Sequence, residues 1–406
     1  MWGGGAKRRR GRPPKELPPE DDRENHQPDP AQHKHPRAPH LDHREDDPPG
    51  GSISVGDGRP PPPRSHGRRD PCHAKQKGKK PEPKSPRRLP EHWDSVCQPL
   101  AFLPVARILL LGSTGFFGRG VAHKLLDAGH QLRVLVRDPM KAAAFKVRGA
   151  QVVVGDALNP AAVTQAAQGV EHMISLVAVR RNRPQSFLEV NVDGPRLLGQ
   201  AAKAAGVQSV VLVSAIGARL DAHYKYLTSR WMGEQELAKS GVAGTILRFS
   251  LVLAEEGGSL KDFERLSKIG PFVIIPDYGE TQLQPILRED AARCVVETIG
   301  RQELLGKIVE LGGPEVVTFK TVYGWFLDAR GIKKPRLTVP PGFLIPGAAI
   351  MEILMKDPPV TPDEIKMFGL NNIADGIDSV STHYGWRPTA PSTWVPEHWK
   401  KAPARK

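Results

Sequence analysis

The sequence predicts an α/β fold, a doubly wound parallel sheet with a small C-terminal subdomain, preceded by a long disordered arm. Three observations carry that prediction. An apolar run at 105–111 ends in the string Gly112-Ser113-Thr114-Gly115-Phe116-Phe117-Gly118 and passes straight into a helical pattern. Short apolar runs and helical stretches then alternate, the pattern of strand–helix–strand crossovers. Composition changes abruptly near residue 105. Of the 406 residues, the first 104 hold 21 of the 40 Pro, 21 of the 58 Lys and Arg, 15 of the 44 Asp and Glu and 8 of the 14 His, with almost no apolar run. Such an arm cannot bury enough surface to offset its ordering entropy. The remainder is long enough for one large core. The expected organisation is a disordered Pro/Arg-rich arm at 1–104, a sheet core at 105–254, the C-terminal part of the fold with a substrate or partner subdomain at 255–392, and a basic tail at 393–406.

Cysteine usage and charge narrow the class. Cys72 and Cys97 lie in the arm and leave Cys294 alone in the folded part, which excludes a disulfide scaffold or a cysteine zinc site in the core and suits a reducing compartment. No run of 18 or more apolar residues occurs and the N-terminus has no apolar signal core, so neither a spanning helix nor a secretory signal is expected. The net charge of +14 is shared, with 21 basic against 15 acidic residues in the arm and 37 against 29 in the rest. A mildly basic fold attracts phosphates, acidic partners or an anionic membrane surface. Lys7-Arg8-Arg9-Arg10-Gly11-Arg12-Pro13-Pro14-Lys15 resembles a minor-groove-binding hook with an Arg-Gly-Arg-Pro core. It is a single short copy in a segment where chance matches are common, so nucleic acid is not the expected partner. His33, His35 and His43 lack a fixed frame, and no metal site is expected.

The first strand, 105–111, is short, apolar and bounded by glycine, as a buried parallel strand is. In the turn that follows, Gly112 allows the tight bend, Gly115 lets the backbone approach a pyrophosphate, and Gly118 lets the helix pack closely on the strand. Val121, Leu125 and Leu126 mark one face of the helix, which ends at Gly129. Its N-terminus offers N–H groups and a positive dipole end to phosphates, so residues 112–118 are read as a dinucleotide site. The second strand is 131–136, and Arg137 follows it, 19 residues past Gly118. An acidic residue there accepts from the ribose hydroxyls of NAD, whereas Arg suits a 2′-phosphate. Arg137 is also compatible with stacking on adenine or facing solvent, so the residue favours NADP(H) over NAD(H). The third strand, 152–154, leads to Asp156, placed to meet the adenine edge, and the fourth, 173–178, brings Ala178 to cofactor height. Asn191-Val192-Asp193-Gly194 opens the next long helix.

The strand at 210–213 ends in Ser214-Ala215, and Tyr226-Leu227-Thr228-Ser229-Arg230 follows twelve residues on. Here the chain resembles the short-chain dehydrogenase/reductase superfamily, which has a Rossmann-like sheet. That superfamily places a Ser after this strand, then a Tyr and a Lys four residues apart on one helix. The spacing puts both side chains on one helix face. A nearby cation lowers the Tyr pKa, so the phenol can exchange a proton with substrate. The resemblance maps Ser214 onto the orienting Ser, Tyr226 onto the acid/base, and Arg230 onto the Lys that also meets the cofactor ribose. Arg keeps the charge but is a bulkier planar fork. It is compatible with turnover and equally with a site that no longer turns over.

Further segments sharpen the likeness. Thr245-Ile246-Leu247-Arg248-Phe249-Ser250, the stretch 284–292 beginning Gln284-Pro285, Glu310-Leu311-Gly312-Gly313-Pro314 and Pro358-Pro359-Val360-Thr361-Pro362-Asp363-Glu364-Ile365 resemble atypical members of the superfamily. Among these the chain is most similar to the nucleotide-binding accessory subunit of respiratory complex I and its bacterial relatives. Thr361, Pro362 and Glu364 also read as a capped helix start. The resemblance, covering 105 to about 392, implies a tightly held NADP(H), a membrane-bound respiratory complex as partner, and a cytoplasmic or mitochondrial-matrix location, at most peripheral to the inner membrane. The competing expectation is an active NADPH-linked oxidoreductase, epimerase or dehydratase acting on a small carbonyl, sugar-nucleotide or isoprenoid substrate through Tyr226. A DNA-binding arm on a sensing domain is a third. Residues 255–282, with Gly and Pro breaks and Phe263, Phe272 and Tyr278, read as an insertion that caps the pocket. The apolar run at 343–355, broken by Glu352, is too short to span a bilayer. It reads as a membrane-surface helix, a partner-docking helix, or an ordinary packed one.

Overall fold

A computed structural model describes residues 104–400 apart from Arg183. The hook-like segment, the histidines of the arm, Cys72, Cys97 and residues 401–406 lie outside the described residues. Six strands alternate with helices as expected: β1 (Arg107–Leu111), β2 (Gln131–Val136), β3 (Gln151–Val154), β4 (His172–Ser175), β5 (Ser209–Ala215) and β6 (Gly244–Phe249). With the later strand Ile308–Leu311 they form a seven-stranded parallel sheet, ordered from that strand through β6, β5, β4, β1 and β2 to β3. This is a Rossmann-like doubly wound sheet. The strand order reverses between β1 and β4, and a crevice opens there at the carboxyl ends.

The apolar runs become strands because both sheet faces are covered. On one face Ile108, Leu110, Val134 and Leu247 pack against Val121 and Leu125 of α1 (Phe116–Asp127) and against Ala292, Val295 and Val296 of the helix Arg288–Glu297. On the other, Leu109, Met173, Val210 and Leu212 meet the helices Pro160–Ala167, Gly194–Ala204 and Lys225–Lys239. Burial at about 25 cal/mol per Å² of apolar surface is what holds such a sandwich.

Several element ends move from their sequence-based places. β4 stops at Ser175, so Ala178 sits in the loop beyond it. β5 continues through Ser214 and Ala215, so the serine is in the strand rather than after it. Asn191 lies in a wide helical turn, Leu188–Asp193, ahead of the helix beginning at Gly194.

Residues 255–282 supply the helix Gly258–Ser267 and the strand Val273–Pro276, which pairs in parallel with Arg336–Val339. Their core gathers Phe263, Phe319, Tyr323, Phe326, Val395 and Trp399. The expected basic tail from 393 is thereby corrected. The helix Pro391–His398 packs on the helix Phe319–Ala329, and Trp399 is buried with its indole N–H donating to the Ala254 carbonyl at 2.8 Å. A large apolar ring next to proline-started helical sequence is docked, whatever the charge of the residues after it.

Two histidines lie buried at the amino ends of β2 and β4. His130 accepts from the Ala106 N–H at 3.3 Å, and His172 shares a 2.8 Å hydrogen bond with Ser209. Burial lowers both pKa values, aided at His130 by the neighbouring His172. The unfolded chain therefore takes up these protons first, near pH ~6.5, and stability falls as pH drops below that value. The thermal midpoint is expected to decline from about pH 7 to 5.5, before carboxylates titrate. A His172→Asn variant, which keeps a partner for Ser209, is expected to show a flatter decline over that window. Identical curves would remove the assignment.

Candidate functional site

The glycine turn closes where β1 enters α1. The Gly115 N–H donates to the Gly112 carbonyl at 3.1 Å. A Cβ at Gly118 would lie 2.0 Å from that same carbonyl oxygen, so only glycine lets the helix start this close to the strand. No side chain caps α1 and its first turn holds no acidic residue, which leaves its leading N–H groups for an anion. The hydroxyl of Ser113 is buried in this turn without a protein partner. Thr114 is half-buried, Gly115 is exposed, and Phe116 and Phe117 reach the wall of the adjoining cavity.

Arg137 is exposed just past β2. Asp156 follows β3 half-buried, and one of its carboxylate oxygens accepts from the Leu158 N–H at 2.9 Å. Both stand just past the carboxyl ends of neighbouring strands.

The would-be catalytic group is brought only partly together. Ser214 and Tyr226 line one cavity, while the buried Arg230 does not reach its wall. Arg230 instead donates through a terminal N–H to the Val213 carbonyl, and its Nε–H is left buried without a partner. The Ser214 hydroxyl donates to Glu234, which is fully buried. The same carboxylate receives a fork from Arg248, at 3.0 Å and 2.7 Å, and Arg248 reaches on to Glu310 at 3.2 Å. Burial opposes the Arg248 charge, but Glu234 and Glu310 outweigh it and hold its pKa above the ordinary value. Glu234 escaped sequence reading although a signal was present. It stands four residues past Arg230, continuing the helix face that carries Tyr226.

Residues from distant segments position Tyr226. The carboxylate of Asp363 accepts from the Lys225 and Tyr226 N–H groups, both at 3.1 Å, and so anchors the start of their helix. Asn191 is fully buried; it exchanges two 2.9 Å hydrogen bonds with the Val179 backbone and donates to Ser229 at 2.9 Å. It thus ties the loop after β4 to the Tyr226 helix. In that loop Arg180 pairs with Asp262 of the cap at 2.7 Å, and Arg181 forks onto Glu364 at 3.0 Å through both nitrogens. Sequence reading of 105–254 alone misses these clamps because their partners lie over 80 residues away.

The cavity holds about 450 Å³ and is mainly apolar, with Phe249, Leu251, Phe263, Leu266, Leu283 and Phe368 on its wall. The segment 255–282 covers it as expected, through Ser259, Asp262, Phe263 and Leu266, whereas Phe272 and Tyr278 are exposed and stand away from it. Gly257 and Gly258, both at positive φ, rest on the Phe116 ring, where a Cβ would come within 2.9 Å and 2.6 Å. Glycine there lets the cap close over the turn.

These features fit a nicotinamide dinucleotide. The orphaned Ser113 hydroxyl and Arg230 Nε–H, the uncapped helix start and an apolar cavity adjoin one switch point. Residues 112–301 match the NAD(P)H-binding family model. An NAD(P)H azoreductase of Xenophilus azovorans is 32% identical over 213 residues, 52% of this chain and 69% of that protein. The chain belongs to the NAD(P)-binding, NmrA-like and epimerase-type branch of the short-chain dehydrogenase/reductases. Mouse NADH dehydrogenase (ubiquinone) 1 alpha subcomplex subunit 9 is 26% identical, over 50% of this chain and 56% of its own. A photosystem II assembly factor of Cyanophora paradoxa is 30% identical over 35% of this chain, a match spanning only 44% of that factor. An Escherichia coli NADPH-dependent quinone oxidoreductase solved with NADPH shares the fold at 22% identity, TM-score 0.58, over 71% of this chain and 99% of that one.

The Glu234–Arg248 pair is expected to be the stability keystone of this site. Glu234→Ala leaves Arg248 without its forked partner and is expected to cost about 3–5 kcal/mol in urea unfolding. Ser214→Ala removes one hydrogen bond and is expected to cost about 1 kcal/mol. Equal, small losses would show that the pair is not the clamp.

Proposed function

We propose that the protein holds NADP(H) as a resident group and serves a respiratory or quinone-linked membrane complex in a structural or assembly capacity. One observation carries this reading. The hydroxyl that proton chemistry would require is already engaged inside the fold, Ser214 donating to the buried Glu234. A Ser214 hydroxyl that donates to a buried carboxylate has no proton to offer a substrate carbonyl. The likeness to a complex I subunit and to a photosystem assembly factor supports the same direction. A matrix or cytoplasmic position at the periphery of a membrane accords with it.

In this reading the leading N–H groups of α1, with Ser113, Thr114 and Gly115, receive the pyrophosphate. Arg137 meets the 2′-phosphate, Asp156 faces the adenine edge, and Ala178 and Arg230 flank the nicotinamide ribose. When bound, the dinucleotide supplies hydride chemistry. Tyr226 on the cavity wall favours a second reading, an NADPH-dependent oxidoreductase, epimerase or dehydratase that uses this phenol as acid/base.

The test is to purify the full chain without added nucleotide and identify any released dinucleotide by mass spectrometry. NADP(H) in stoichiometric amount is expected. Arg137→Asp is expected to weaken NADPH binding at least ~10-fold, about 1.4 kcal/mol, while sparing NADH. Absence of any bound or binding dinucleotide would overturn the reading. Multiple-turnover NADPH oxidation that is lost in Tyr226→Phe would establish the second one.

A further inference from the structure

The helix Pro341–Leu354 presents its apolar face to the outside. A helix that is apolar all round is expected to be buried. Here only Ala348 is buried, while Phe343 is 79%, Ile350 58%, Ile353 78% and Leu354 77% exposed. With Pro346 and Gly347, also exposed, these residues recur every three to four positions and form one stripe. Leu344, Ile345, Met351 and Glu352 are half-covered, and the helix rests on the helix Pro362–Met367. Leu337, in the strand leading into it, and Phe272, just before the paired strand, are exposed as well. Among the described residues, no helix is long and apolar enough to cross a membrane.

The rim of this stripe is basic. Residues 332–356 hold Lys333, Lys334, Arg336 and Lys356 against Glu352 as the single acid of that segment, with Arg336 paired to Asp328 at 2.9 Å. Lys333 and Lys356, at the two ends, are exposed. Lys334 bonds the carbonyls of Ser267 and Gly270, which brings the exposed Lys268 alongside. Asp357, next in the chain, is neutralised by Arg181 and Arg265. An apolar helix stripe about 21 Å long, followed by the exposed Lys356 and preceded in the chain by the exposed Lys333, suits a surface of acyl chains and anionic headgroups. The arm is poorly matched to the stripe, since residues 1–104 have almost no apolar run and are themselves net basic.

We propose that the stripe Phe343–Ile350–Ile353–Leu354 docks on an anionic lipid bilayer, the helix lying in the interface and the basic rim on the headgroups. This stands apart from the nucleotide reading. The docked helix packs on the segment that supplies Glu364 and Met367 to the cavity and Asp363 to the start of the Tyr226 helix.

Flotation of the full chain with vesicles tests it, using phosphatidylcholine with about one part in four phosphatidylglycerol, and phosphatidylcholine alone, near 0.1 M salt. The wild type is expected to float with the anionic vesicles at least tenfold more than with the neutral ones. Phe343→Ser/Ile350→Ser/Ile353→Ser, which leaves every charge in place, is expected to lose at least tenfold of that binding. Should the triple variant lose the cooperative thermal unfolding of the wild type, Lys333→Glu/Lys356→Glu replaces it, with the same loss expected. Binding unchanged in the variant would assign it to charge elsewhere and overturn the proposal. A wild type that does not float would also overturn it and leave the stripe to a protein partner or a second copy.

Discussion

A fully buried carboxylate is the constraint around which this site is organised. Glu234 sits where desolvation of an unpaired charge would cost several kcal/mol, so its oxygens must be met. Arg248 on β6 meets them with a fork and Ser214 on β5 adds a third bond. Two adjacent strands and the helix Lys225–Lys239 are thereby locked in one arrangement. Tyr226, two turns earlier on that helix, inherits its place on the cavity wall. The same lock turns the Ser214 proton inward. The arrangement that joins these elements is thus also the one that occupies the Ser214 proton.

The second support comes from far along the chain. Asp363 holds the helix start at Tyr226, and Glu364 closes the capping box with Thr361 while gripping Arg181. The loop after β4, the Tyr226 helix and the C-terminal segment are therefore tied together. The apolar helix Pro341–Leu354 packs against that segment, so whatever covers its outward stripe acts next to the cavity. Cavity and outer surface are joined by packed elements.

Much of this was legible in the sequence. The run into Gly112–Gly118 specified strand, turn and helix because short-range geometry dictates each step, and the doubly wound sheet followed from alternation. Local rules likewise foresaw the capping box at Thr361 and the cap over the cavity. Long-range pairing was not legible. Nothing near Glu234 announces Arg248, and nothing near Tyr226 announces Asp363. Trp399 was hidden by the basic residues around it, since its burial depends on a groove formed by Phe263 and Phe326. The outward face of Pro341–Leu354 was ambiguous for the opposite reason. Apolar periodicity reports that a face must be covered, not what covers it.

The central claim is that the fold holds its dinucleotide rather than exchanging it, and the dissociation rate tests this most directly. The full chain is loaded with NADPH, mixed with a large excess of NADP⁺, and the fluorescence of bound NADPH is followed. The account predicts a residence time on the order of an hour or longer. Complete release within seconds would contradict it and identify an exchanging enzyme.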